Sequence, residues 1–141
     1  MKLFGIDYGR RRVGLAVTDE NGDYVRGLNT LDRLKHADYI LAICTIIQQE
    51  SPATIVVGLP LDLDGNDTSM SYEARAFAAE IAKNIDIPLT FVDESLSSVH
   101  AAEIMQHKKK KHRRNKEEVD KIAACLILEH YKQEHAGNGS Y

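Results

Sequence analysis

Leu3-Phe4-Gly5-Ile6-Asp7-Tyr8-Gly9-Arg10-Arg11-Arg12-Val13-Gly14-Leu15-Ala16-Val17-Thr18-Asp19 is the stretch around which the chain is organised. An apolar run from Leu3 to Ile6 ends on the carboxylate of Asp7. Gly9 and three arginines separate it from a second apolar run, Val13 to Val17, in which small and large side chains alternate. Two short apolar runs joined through a glycine predict a β-hairpin. A carboxylate at the end of a buried strand needs a cation or a metal, because an unpaired buried charge is costly. Asp7 can salt-bridge one of Arg10, Arg11 and Arg12 and open a tight turn. Alternatively it can hold a metal while the arginines hold phosphate, which is a start for phosphate-ester chemistry.

Working outward, Asn21-Gly22-Asp23 is a turn signal, and a third strand near Tyr24 to Leu28 completes an antiparallel meander. Thr30 or Asp32 can cap a helix from about Arg33 to Gln49, with Ala37, Ile40, Leu41, Cys44 and Ile47 at helical spacing. Thr54 to Gly58 is wholly apolar apart from its first residue, the pattern of a strand buried on both faces of a parallel sheet. The loop Leu61 to Thr68 carries Asp62, Asp64 and Asp67, but Gly65 comes too early for an EF-hand and no Glu closes it, so it reads as a solvated turn. Ala74, Phe77, Ala78, Ile81 and Ile85 predict a helix over about Ser71 to Asn84, and Leu89 to Val92 a fifth strand ending in Asp93-Glu94. Another helix starts at Ser97 or Ser98. Asn115 with Glu118 resembles a capping box for a last helix lined by Val119, Ile122, Ala123, Leu126, Ile127 and Tyr131.

This order, β-β-β-α-β-α-β-α-α, predicts an α/β fold. Right-handed crossovers set the fourth and fifth strands parallel to the first, giving a five-stranded mixed sheet in the order 3-2-1-4-5 flanked by helices. Ligands of such sheets gather at the carboxyl ends of parallel strands. Asp7 and Glu94 both fall at such ends. Asp120 sits about one turn into the last helix, at the margin of its apolar stripe; it either pairs with Lys116, Lys121 or the basic run, or joins the other two acids. Three clustered carboxylates repel unless divalent cations hold them, and hard oxygen ligands suit Mg²⁺ or Mn²⁺, here two ions. Such a pair can activate water and stabilise the leaving oxygen of a phosphodiester.

At 141 residues the chain reads as one domain, residues 1–141, with a frayed tail over 136–141. No apolar run approaches the roughly 18 residues of a membrane span, so no membrane partner is expected. Met1-Lys2-Leu3 enters a strand directly with no signal-peptide h-region. Cys44 and Cys125 fall at apolar helical positions and read as buried thiols of a reducing compartment, predicting a cytoplasmic protein. The net charge of −3 hides an uneven distribution. Lys108, Lys109, Lys110, Lys111, Arg113 and Arg114 with Lys116 hold seven of the 18 bases, leaving 11 bases against 21 acids elsewhere. Such a run is either a solvated loop or the electrostatic footprint of nucleic acid. If the latter, it tracks the phosphate backbone without reading bases, together with Arg10, Arg11 and Arg12.

Ile6-Asp7-Tyr8-Gly9 with Arg11-Arg12-Val13-Gly14-Leu15-Ala16-Val17-Thr18-Asp19 resembles the opening of the YqgF family, the Holliday-junction-resolvase-like proteins also described as pre-16S rRNA nucleases. Val56-Val57-Gly58-Leu59-Pro60-Leu61 with Asp64-Gly65 is similar to the family's central signature. Val92-Asp93-Glu94-Ser95-Leu96-Ser97-Ser98 is similar to its third motif, and Val119-Asp120-Lys121-Ile122-Ala123-Ala124 to its last. The four motifs run in order to about Tyr131. The resemblance implies an RNase H-like fold and a metal-dependent nuclease with Asp7, Glu94 and Asp120 as acidic metal ligands. It also implies a part in ribosomal RNA 5′-end maturation and ribosome biogenesis, with branched-DNA cleavage as the alternative. Ser95 stands where the family commonly has Arg, which bears on phosphate contact and leaves the three acids untouched.

The expectation is a metal-dependent endonuclease acting on structured RNA (precursor ribosomal RNA) or branched DNA, as a monomer or a homodimer. Two rival classes have distinct tests. A nucleic-acid-binding protein with vestigial catalysis, motivated by Ser95, would lose no metal-dependent cleavage on Asp7→Asn. A sugar-kinase-like phosphotransferase also opens with an Asp-x-Gly hairpin, but needs two such domains and would bind ATP.

Overall fold

The computed structural model describes residues 1–94 and 116–139. The expectations for Ser95 to Ser98, for the helix from Ser97 or Ser98, for the basic run Lys108 to Arg114 and for the Asn115 cap lie outside the described residues.

The opening stretch forms the expected hairpin. Strand β1 (Leu3–Asp7) and β2 (Arg12–Thr18) run antiparallel, with Phe4 opposite Val17 and Asp7 opposite Gly14. Gly22 takes φ +77°, the left-handed conformation that glycine tolerates, and turns the chain into β3 (Val25–Gly27). A two-residue strand that the sequence does not signal, β4 (Leu31–Asp32), pairs with the start of β2. Strands β5 (Thr54–Leu59) and β6 (Leu89–Asp93) are parallel to β1, and the sheet order is β3-β2-β1-β5-β6 with β4 beside β2. The expected order therefore stands with one strand added. The carboxyl ends of β1, β5 and β6 share one edge of the sheet.

The first helix differs from its expected span. Asp32 caps only a single 3₁₀ turn, Arg33–Lys35, and α1 (Tyr39–Glu50) begins at a second cap, where Asp38 accepts from Leu41 N. Its buried residues are Ile43, Cys44 and Ile47, so the apolar stripe is turned away from Leu41, which is exposed. Strand β5 continues through Leu59 instead of stopping at Gly58. Helix α2 (Ser69–Asn84) has a capping box between Thr68 and Ser71 and buries Ala74, Phe77, Ala78 and Ile81 as expected. The last helix, α3 (Lys116–Gly139), runs past Ala136. No helix among the described residues is long and apolar enough to cross a membrane.

Alternation along the strands sorts the core into two layers. Phe4, Ile6, Val13, Leu15, Val17, Ile55 and Val57 face α1 and α2 with Ile43, Ile47, Phe77 and Ile81. Leu3, Ala16, Val56 and Val92 face α3 with Ala124, Ile127, Leu128 and Tyr131. The α3 face is where the small residues of the opening stretch fall. A side chain on Gly5 would lie 2.6 Å from Leu128 Cγ, and one on Gly14 would strike the backbone oxygen of Asp120. Bare backbone on the sheet is thus what lets α3 lie close against it.

Candidate active site

Asp7 is the last residue of β1, and by strand parity it points, like Leu3, to the α3 face. Glu94 follows β6 directly; its N–H donates to Leu59 O at 3.0 Å, extending the ladder one residue and placing its side chain on the same face as Val92. Strand β5 lies between them, so the two backbones are about 10 Å apart at the ordinary strand spacing. The two carboxyls nevertheless come close enough for each to shift the titration of the other. Gly58 makes this possible: one step beyond the Ile6–Val57 register, it presents no side chain, and a Cβ there would lie 2.9 Å from Glu94 Cδ and 2.6 Å from Ile127 Cδ1.

Glu94 is only 2% exposed, and its Oε2 has no hydrogen-bond partner among the described residues. Burial pushes its carboxyl well above the ordinary 4.5, and the charge of Asp7 pushes the same way. Asp7 is raised from its ordinary 3.8, chiefly by burial; the neighbouring Glu94 carboxyl opposes that and the charge of Asp120 adds to it. With Glu94 buried and Asp7 half-buried beside it, the two carboxyls resist ionising together and favour sharing a proton.

Asp120 is half-buried, four residues before the buried Ala124 on α3. The buried stripe of that helix is rotated one position from the sequence expectation: Ala123, Ala124, Ile127, Leu128 and Tyr131 are buried, while Ile122 and Leu126 are half-buried. Asp120 sits over Gly14, the cross-strand neighbour of Asp7. Its carboxylate accepts from Arg12 Nε at 2.9 Å, and no salt bridge joins it to Lys116 or Lys121; the basic run lies outside the described residues. Burial raises Asp120 and the Arg12 bond opposes the rise.

The three arginines diverge. Arg10 pairs with Glu73 of α2 at 2.6 Å, Arg11 with Asp32 at 3.2 Å, and only Arg12 reaches a site carboxylate. No salt bridge from the three goes to Asp7. Asp120 is bonded to Arg12, and no group of three or more His, Cys, Asp or Glu among the described residues stands together as a ready metal cage. The donor set still fits a divalent cation. Two hard-oxygen carboxyls come close together, one holds a buried oxygen with no partner among the described residues, and the charge of Asp120 reaches Asp7.

Sequence reasoning misses the brace behind Asp7. Arg33 Nη1 donates to Tyr8 Oη at 3.1 Å and to Gly9 O at 3.3 Å, and its guanidinium stacks 4.1 Å above the Tyr39 ring. Tyr8 Oη also donates to Glu73 at 3.2 Å. These contacts tie the β1–β2 turn to the opposite helical layer. In the sequence Arg33 stands only as the start of a helix, and nothing local signals its contact with Tyr8.

A mixed sheet with acidic residues converging on its parallel-strand edge is the architecture of RNase H-like nucleases of the resolvase type. The fold matches that of Thermus thermophilus RuvC in complex with a Holliday junction substrate, with TM-score 0.60, 16% identity, and coverage of 99% of this chain and 98% of that one. It also matches the fowlpox virus resolvase in complex with junction DNA, with TM-score 0.56, 11% identity, and coverage of 95% and 98%. The chain belongs to the RuvX family, described as Holliday junction resolvase, whose model matches residues 1–134. Relatives carrying the name "Putative pre-16S rRNA nuclease" include one from Synechococcus elongatus, 36% identical over 92% of this chain and 87% of its own length. Another, from Koribacter versatilis, is 38% identical over 91% and 84%. The chain is thus a nuclease of this family.

Proposed function

We propose that the chain is a metal-dependent endonuclease that cleaves a phosphodiester at the Asp7–Glu94–Asp120 edge, and that its substrate is the 5′ flank of precursor 16S ribosomal RNA. The observation that carries the reading is the closeness of Asp7 and Glu94 across Gly58, with Glu94 Oε2 buried and unpartnered among the described residues. Two carboxyls are not forced together in a dry site for stability, since burial and mutual repulsion both oppose it. They are suited to hold Mg²⁺ or Mn²⁺, one ion or two, with Asp120 completing the set. The bound ion supplies activation of the attacking water and neutralisation of charge at the leaving oxygen. The chain's own part is to orient these oxygens on rigid strand ends, to exclude bulk water with α3, and to release the shared proton as the site is loaded. The Arg33–Tyr8 brace holds the β1–β2 turn, and so Asp7, in place. Lys108 to Lys111, Arg113 and Arg114 with Arg12 supply phosphate contacts. Two free cysteines, Cys44 buried and Cys125 half-buried, support a reducing, cytoplasmic setting in ribosome biogenesis.

The RNA substrate rests on the names of the relatives, and branched DNA is the second reading, favoured by the family description. The deciding experiment offers precursor 16S RNA and a four-way DNA junction to the chain, each with Mg²⁺ and with Mn²⁺. Cleavage of the RNA at its 5′ flank supports the first reading. Cleavage of the junction alone overturns it in favour of the second.

A further inference from the structure

Of the three arginines after Asp7, only Arg12 shares a face with the site. Arg12, Gly14 and Ala16 alternate onto the side of β2 that α3 covers, whereas Arg10 is drawn to α2 and Arg11 to β4. Arg12 Nε meets Asp120 Oδ2 at 2.9 Å, with side chains 26% and 22% exposed. Both members of this pair are chemically suited to other partners in the reading above. Asp120 is the third hard-oxygen donor beside Asp7 and Glu94. A guanidinium is the side chain best shaped for a phosphodiester, with a rigid fork of donors and a permanent charge. While they hold each other, Oδ2 of Asp120 and one edge of the Arg12 fork are each occupied.

We propose that the Arg12–Asp120 salt bridge is an exchange contact: Asp120 leaves Arg12 for the divalent cation, and the freed guanidinium takes a backbone phosphate of the nucleic acid. This exchange deepens the metal-dependent reading and rests on it. The pair is about a quarter exposed and made by one hydrogen bond, so its rupture costs less than that of a fully buried pair. Cation and nucleic acid are then linked through one contact. Either ligand, by taking its half of the pair, releases the half the other needs, and the coupling is reciprocal. Arg12 acts as a positioning residue for Asp120 in the unloaded site and as a phosphate contact in the loaded one.

Two double-mutant cycles test this. In the first, Mn²⁺ affinity is measured by calorimetry on wild type, Arg12→Gln, Asp120→Asn and the double variant, with Arg11→Gln as a control for loss of a nearby charge. Arg12→Gln should tighten Mn²⁺ binding about three- to tenfold, the scale of a partly exposed ion pair. The gain should vanish in the Asp120→Asn background, and Arg11→Gln should not reproduce it. In the second, binding of a fluorescent four-way junction is measured without divalent ions. Asp120→Asn should tighten it by freeing Arg12, and Arg12→Gln should cancel that gain. Gains that persist in the partner's mutant background would show charges acting through space and overturn the exchange. A wild type that binds no Mn²⁺ overturns the cation half together with the metal reading, and the second cycle then decides the phosphate half alone.

Discussion

Asp7 and Glu94 end two strands that are not neighbours, and their carboxyls come close only because the strand between them carries Gly58 at the crossing point. Geometry of this kind is sensitive to a single methyl group. In Gly58→Ala the new Cβ would lie 2.9 Å from Glu94 Cδ and 2.6 Å from Ile127 Cδ1. Ile127 can shift its terminal methyl, but the Glu94 head must leave Asp7. The expected cost is about 1–3 kcal/mol of stability, typical of overpacking, with a loss of cleavage larger than the loss of fold explains. Thermal melting and single-turnover cleavage on the same preparation check this. Unchanged cleavage would mean that their closeness does not matter.

The shared proton of Asp7 and Glu94 makes stability depend on pH in an unusual direction. Both carboxyls are raised above their unfolded values of 3.8 and 4.5, so above about pH 4 the folded chain holds protons that the unfolded chain has lost. Their stabilising contribution is complete below the unfolded values and is lost as pH rises. Asp19, Asp32, Asp67 and Glu73 are lowered, so their effect runs the other way and lies below the ordinary carboxylate range. Without divalent ions, the melting temperature should therefore fall from pH 5.5 to pH 8, and Glu94→Gln should flatten the slope. Millimolar Mg²⁺ should restore more stability at pH 8 than at pH 5.5, because it binds the ionised folded site. A flat profile in the wild type would contradict the shared proton.

The approach of α3 to β2 offers a stability test away from the carboxyl pair. A Cβ on Gly14 would run into the backbone oxygen of Asp120, which cannot swing away as a side chain can. Gly14→Ala should cost at least as much as overpacking usually does, about 1–3 kcal/mol, and should weaken Mn²⁺ binding by displacing Asp120. Gly65→Ala has nothing within 4 Å of the new methyl but keeps a φ of +82°. It should cost only about 1 kcal/mol through backbone strain and leave Mn²⁺ binding unchanged. Paired melting and calorimetry on the two variants check the contrast.

The basic run is expected to bind phosphate without reading sequence. Neutralising Lys108 to Lys111 should weaken binding of unrelated structured nucleic acids by similar factors and flatten the salt dependence of each. Equal affinities and slopes for wild type and variant would reduce the run to a solubility feature.

What is legible in the chain follows the range of the interactions involved. The hairpin around Asp7, the apolar Thr54 to Gly58 segment and the crossover topology rest on local pattern and chirality, and these alone are enough to place Asp7 and Glu94 on one edge. Helix α1 starts later than its periodicity predicts because Arg33-Leu34-Lys35-His36-Ala37 is compatible with helix, while two aspartate caps compete and the second one wins. The stripe of α3 falls one position from its predicted place because Ile122 and Leu126 outrank Ala124 in hydrophobicity, yet the glycine-lined sheet selects small size at closest approach. Gly58 resembles a strand terminator; its contact with Glu94 depends on β6 arriving beside β5. Arg12 and Asp120 are 108 residues apart, and no local signal distinguishes Arg12 from the arginines that precede it.

The most direct test of the carboxylate site is single-turnover cleavage by wild type, Asp7→Asn and Glu94→Gln with Mg²⁺ or Mn²⁺, scored beside nucleic-acid binding and melting temperature. The substrate is whichever of precursor 16S RNA and junction DNA the wild type cuts. Both variants should fold and bind nucleic acid at close to wild-type affinity while cleavage falls by at least about a hundredfold, the scale of losing a group that stabilises the transition state. Cleavage by Asp7→Asn at the wild-type rate would contradict a catalytic role for this edge of the sheet.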